Sequence, residues 1–146
     1  LHVHLPGDGQ PVDLSAVEAD MAKDPAALVN YLYAMCVKSA QSELYSGVTT
    51  IRTVGGVQNI DTQIRDRIQQ GELDGPRILA SNMAVSVPGG HMAGTLAYIA
   101  NSAEEAQAYV QQIATDKPDL IKLMVTGGVL DAKIKGEPGE LKMPAA

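Results

Sequence analysis

Three short segments of this sequence carry side chains able to do chemistry. The first is His2-Val3-His4. Side chains two apart on a strand project to the same face, so on a strand these imidazoles stand side by side. Their neutral nitrogens can then chelate one metal ion; on a plain surface they would be two solvated histidines. The second is Lys122, set among apolar residues in Asp119-Leu120-Ile121-Lys122-Leu123-Met124-Val125. Burial disfavours an ammonium, and a lysine with a lowered pKa is a nucleophilic amine. Such an amine can take up carbon dioxide as a carbamate, an anion able to bridge two cations. Alternatively its head group escapes at the sheet edge while the stem is buried. The third is His91, in Val87-Pro88-Gly89-Gly90-His91-Met92. A glycine-rich loop lets backbone approach a ligand closely, so His91 reads as a substrate-positioning or charge-stabilising imidazole, or as a solvated loop histidine.

These residues need elements that bring them to one place, and the sequence alternates strand and helix signals. Leu1–Leu5 reads as a strand end and Pro6-Gly7-Asp8-Gly9 as a turn. Asp24 as N-cap and Pro25 at the first helical position open a helix, with Leu28, Leu32, Met35 and Cys36 at helical spacing and Gly47 closing it. Val48–Val54 is β-branched and predicts a second strand, broken by Gly55-Gly56. Asp61–Gln70 predicts a helix, with Ile60, Ile64 and Ile68 four residues apart and Gly71 at its end. A third strand is expected over 77–81, and Ser102 with Glu105 forms a capping box for a helix running to about Thr115. Asp119–Val125 predicts a fourth strand, broken by Thr126-Gly127-Gly128. The tail Leu130–Ala146 reads as a loop and the beginning of another helix.

Strands separated by helices imply parallel pairing. Over one domain, 1–146, two architectures fit. One is an open doubly wound sheet that binds a small ligand at its switch point. The other is the first four βα units of a (β/α)8 barrel. In a barrel the strands' C-terminal ends carry the site, and His4 and His91 fall at such ends.

Composition narrows the function. The 146 residues are 45% apolar, with five Tyr and no Phe or Trp, so the core is built from Val, Ile, Leu, Met and Ala. The net charge is −6 and the eleven Lys and Arg are scattered, whereas nucleic-acid binding needs a basic face. No apolar run reaches the roughly 18 residues of a membrane span, and no secretory signal is present. The single cysteine, Cys36, cannot form an internal disulfide. It reads as a buried, inert thiol in a reducing, cytoplasmic setting. Phosphate-binding glycine motifs and a glycine-flanked nucleophilic serine are absent. The chain opens without Met, inside a strand, so a truncated start is expected.

Taken in order, LHVHL, SGVTTIRTVGG, GPRILASNMAVSVPGGHM and DLIKLMVTGGV resemble the amidohydrolase superfamily, most closely its imidazolonepropionase-like and prolidase-like (Xaa-Pro dipeptidase) hydrolases. The resemblance implies a metal-dependent hydrolase barrel that cleaves an amide, peptide or cyclic amide C–N bond with metal-activated water. His2 and His4 match the first metal-ligand pair, and Lys122 the lysine that is carboxylated and bridges two metals. His91 matches the histidine facing the substrate. The implied cofactor is zinc, one or two ions, and the implied substrate is small or dipeptide-like. Thr53 stands where the family often has Asp after the strand-two Arg, here Arg52. The histidines of strands five and six and the proton-handling Asp of strand eight have no match. No His follows Lys122, and the only later Asp is Asp131. Three of six expected metal-site groups are present. The expectation is therefore a fragment, inactive alone, that pairs with its missing half or with copies of itself. The alternative is an inactive, self-associating half-barrel that at most binds metal.

Overall fold

Period-two alternation decides what the first sheet buries. Ile51 and Thr53 turn to one face of their strand and are fully buried, while Arg52 between them is exposed. The structure is a computed structural model and describes residues 1–7, 24–128, 134, 136 and 139–144. Asp131 and most of the tail read from the sequence as loop and incipient helix lie outside the described residues, as do Asp8 and Gly9 of the first turn.

Strands β1 (His2–Val3), β2 (Thr50–Thr53) and β3 (Arg77–Leu79) form a parallel sheet in the order β1-β2-β3. Its register sets His2 beside Arg52 and Arg52 beside Leu79. All three are exposed on one face. The other face carries Ile51 and Ile78 against α1 (Pro25–Tyr45) and α2 (Ile60–Gln69), in a core with Leu5, Cys36, Ala40, Ile60, Ile64 and Ala80. Helix α1 begins where a cap and a proline coincide: the Asp24 carboxylate accepts from the N–H groups of Ala26 and Ala27 at 3.1 Å. Gly47, at φ +93°, follows its last turn, a conformation open to glycine without strain.

A second parallel pair, β4 (Ala84–Ser86) and β5 (Ala97–Ile99), lies between the third and fourth strand signals and carries no signal of its own. Three residues are too few for alternation, and Ala84, Val85 and Ser86 are all buried. The segment expected as a fourth strand forms no named strand; among the described residues its β-bridge pairs Leu123 with Val85. It lies along β4, with the Val85 N–H donating to the Lys122 carbonyl and the Met124 N–H to the Val85 carbonyl, both at 2.9 Å. Helix α3 (Ala103–Ala114) packs Ile113 on Val85 and Ala100. Its cap is the expected Ser102, accepting from the Glu105 N–H, while Glu105 reaches back to the Asn101 N–H rather than to Ser102.

The two sheets are joined where β3 ends. The Asp119 N–H donates to the Ala80 carbonyl at 2.8 Å, and Asp119 Oδ2 accepts from both the Ala80 N–H and Arg65 Nη1 at 2.8 Å. The result is an α/β fold of parallel strands and three helices among the described residues, none of the helices long and apolar enough to cross a membrane.

Candidate functional site

His2 and His4 point the same way, as strand geometry requires. Their Nε2 atoms are 3.4 Å apart and the rings meet edge to face, with centroids 5.3 Å apart. Two nitrogens bound tetrahedrally to one zinc ion at its usual bond lengths stand about 3.3–3.4 Å apart, so the pair is already spaced for a shared cation. The other nitrogen of His4, Nδ1, lies 2.9 Å from the Gly55 carbonyl. A carbonyl only accepts, so in the neutral ring Nδ1 carries the hydrogen and Nε2 keeps its lone pair. Metal-binding histidines are commonly oriented by such a bond.

Electrostatics favour the unprotonated ring at His2. Burial, followed by the charges of His4, Lys122 and Arg52, holds its pKa below the ordinary imidazole value. Lys122 is thus near enough for its charge to be felt at His2. It is half-buried, and its carbonyl is tied to Val85. An open hollow of about 390 Å³ beside this group is lined by Leu1, His2, Arg52 and Leu79.

His91 is half-buried, with its ring against Gly128, the second glycine after the Lys122 segment. The structure brings His2 and His4 together and sets His91 against Gly128, at the far end of the segment that carries Lys122. Among the described residues no three His, Cys, Asp or Glu side chains surround one point, so the donor set placed here is the two imidazoles. The pair fits a divalent cation in spacing, and His4 in tautomer, but does not complete its coordination.

Thr53, in the position where aspartate is frequent, is fully buried, and its Oγ1 accepts from the Ser81 N–H at 3.0 Å. It belongs to a buried polar cluster that the sequence reading missed. The Gly55 N–H donates to Ser81 Oγ at 2.9 Å and the Gly56 N–H to the Asn82 carbonyl at 2.9 Å. Asn82 Oδ1 accepts from the Thr62 N–H at 3.1 Å. Asp61 lies fully buried beneath Gly56, where any Cβ would stand 2.7 Å from its Oδ2. The one available signal was the Gly55-Gly56 pair, which reads simply as a tight turn after a strand.

No family model matches the chain, and no curated protein does. Solved structures do. A provisionally assigned prolidase from Bifidobacterium longum is 41% identical over 71% of this chain, with a TM-score of 0.62. A Xaa-Pro dipeptidase with methionine bound in its active site is 30% identical over 95%, with a TM-score of 0.67. An amidohydrolase at 23% identity shares the fold over 99% of the chain, with a TM-score of 0.72. The chain spans 26%, 36% and 36% of those three proteins. In sequence and fold, this chain is similar to the prolidase and Xaa-Pro dipeptidase branch of the amidohydrolase superfamily.

Proposed function

We propose that this chain forms part of the metal site of a hydrolase that cleaves a C–N bond in a dipeptide-like substrate. The observation that carries the reading is the convergence of His2 and His4 Nε2 at 3.4 Å, with His4 Nδ1 held by the Gly55 carbonyl. His2 and His4 would hold a divalent ion, and an all-nitrogen pair of this spacing suits zinc. Lys122, as its carbamate, would add an anionic oxygen donor next to them and allow a second ion. Bound there, zinc supplies a water acidified to near neutral pH and polarises a scissile carbonyl. The chain's own groups do the rest of the local work. Gly55 orients His4. Arg52, exposed next to His2, can neutralise a substrate carboxylate. His91 would face the substrate from the glycine-rich loop. A group to move the proton onto the leaving amine is not matched here, so we assign that role, with the remaining ligands, to polypeptide beyond these 146 residues. The activity belongs to the assembled site, and this chain alone is inactive.

The second reading, an inactive half-barrel that self-associates, is favoured by the exposed row Ile121, Leu123 and Val125. Native mass spectrometry with zinc and bicarbonate, paired with zinc titration, tests the metal-site reading, and the assembly mass in the same spectrum tests self-association. Zinc bound in the wild type and lost in His2→Ala and His4→Ala, together with an added carboxyl mass that disappears in Lys122→Met, is the expected result. A chain that binds no zinc at micromolar concentration would sink the metal-site reading.

A further inference from the structure

We infer that Ser81 is a positioning residue for His4 and acts through the Gly55 carbonyl. The Gly55–Gly56 peptide is planar and trans, so its C=O and N–H point in opposite directions. Its N–H is tied to the Asn82 carbonyl at 2.9 Å, and its C=O therefore faces away from Asn82. There it meets His4 Nδ1 at 2.9 Å. One bond is not enough to hold that plane. Gly55 has φ +125°, a region in which glycine pivots at little cost, so the preceding peptide must be held as well. Ser81 holds it: its Oγ accepts from the Gly55 N–H at 2.9 Å and donates to the Asn82 carbonyl at 3.2 Å.

Among the described residues Ser81 is thus the one side chain bonded to both restraints on the turn. It is itself fixed by Thr53 Oγ1 on its N–H at 3.0 Å. Ser81 and Thr53 are fully buried and Asn82 is 1% exposed, so water does not substitute for these bonds. A side chain at position 55 is disfavoured by the positive φ itself, and its Cβ would stand 3.1 Å from Met124 Cε. The turn is consequently glycine by necessity and rigid only through its neighbours. Loss of Ser81 Oγ leaves the Gly55 N–H buried without its acceptor, and the turn rotates to find another. The carbonyl then leaves Nδ1, and the neutral ring of His4 divides between its two tautomers. In its effect on the ring proton the inference stands alone; in its effect on zinc it rests on the reading above.

The test uses the 146-residue chain, uniformly 15N-labelled and metal-free at about pH 8, where imidazoles are neutral. Long-range 1H–15N correlation reports the tautomer of each of its three histidines. Ser86→Ala is the matched control, because Ser86 is equally buried and its Oγ makes no protein hydrogen bond among the described residues. In the wild type and the control, His4 carries its hydrogen on Nδ1. In Ser81→Ala it becomes a mixture, and the zinc Kd rises roughly 10- to 100-fold, the range for loss of an outer ligand-orienting group. Ser81→Cys, which keeps the shape and a weak acceptor, falls between and carries the test if Ser81→Ala does not fold. His4 remaining wholly Nδ1–H in the folded Ser81 variants, or shifting equally in Ser86→Ala, would overturn the inference. A wild type that binds no zinc would end the metal reading and leave the tautomer comparison to decide Ser81.

Discussion

Asp61 is the residue most out of keeping with its surroundings. It is fully buried, and neither carboxylate oxygen makes a protein hydrogen bond among the described residues. Burial pushes its pKa up, only partly opposed by the nearby Thr53 hydroxyl, the Asn82 backbone and the charge of His4, and the first two stop short of hydrogen-bond geometry. The folded state therefore holds this proton more tightly than the unfolded state does. Its contribution is fully favourable below the ordinary aspartate range and is lost as pH rises through the raised folded value. Asp61→Asn is accordingly expected to be more stable than the wild type at neutral pH, by about 1 kcal/mol or more, with a flatter profile. Thermal unfolding between pH 4 and 8 measures this, and a variant less stable at pH 7 would refute it. His2 and His4 are readable in the sequence because two-residue spacing on a strand dictates a shared face. Asp61 is not, because an acidic residue in a first helical turn is the ordinary partner of the helix dipole. Its burial comes from Gly56, whose missing side chain lets the carboxylate sit beneath the turn.

Among the elements, helix α2 is linked to the end of β3 through Arg65 and Asp119. Arg65, with its side chain 10% exposed, gives one hydrogen to Asp66 Oδ1 and another to Asp119 Oδ2, both at 2.8 Å. The second link matters more, since Asp119 Oδ2 also takes the Ala80 N–H at the end of β3. Burial raises the Asp119 pKa, but the Ala80 N–H and Arg65 outweigh it and hold the carboxyl below the ordinary range. The stability this gives is present above the ordinary aspartate range and lost as pH falls through the lowered value. Asp119→Ala is expected to cost roughly 1–2 kcal/mol at pH 7, discounted for its partial exposure, and less near pH 3, by urea unfolding at both. Equal losses at both pH values would contradict the assignment. The long helices and β2 are visible in the sequence because caps, helical spacing and β-branched runs act locally. β4 and β5 are invisible because their definition is tertiary: three residues each, placed by bonds to Leu96, Lys122 and Met124.

For the molecule as a whole, alternation along the last extended segment has a cost. Ile121, Leu123 and Val125 are 36%, 48% and 41% exposed, on the pleat side opposite Lys122 and Met124. Apolar surface of this kind favours association, and among the described residues the segment that carries it bridges β4 through Leu123 alone. The chain is expected to self-associate with rising concentration, and the double variant Leu123→Asp, Val125→Asp to shift it toward monomer in analytical ultracentrifugation. A wild type monomeric at 100 µM removes the case for self-association. The α/β class and the family likeness were readable because they rest on four motifs in chain order. What lies between the motifs, the two-sheet arrangement and the clamp around Ser81, arises from contacts between segments far apart in sequence and leaves no periodic trace.

The lone cysteine turns this architecture into an instrument. Cys36 is fully buried between α1 and the first sheet, and burial, with a smaller push from the charge of Asp61, raises its thiol to about 12. A thiol reagent attacks the thiolate, so at neutral pH it has neither the access nor the nucleophile while α1 is seated. Each labelling event therefore records one departure of that helix. With no second thiol in the chain, the labelling rate is a clock for α1 opening, and its slowing by zinc would time how far occupancy at His2 and His4 is felt on the opposite face of the sheet.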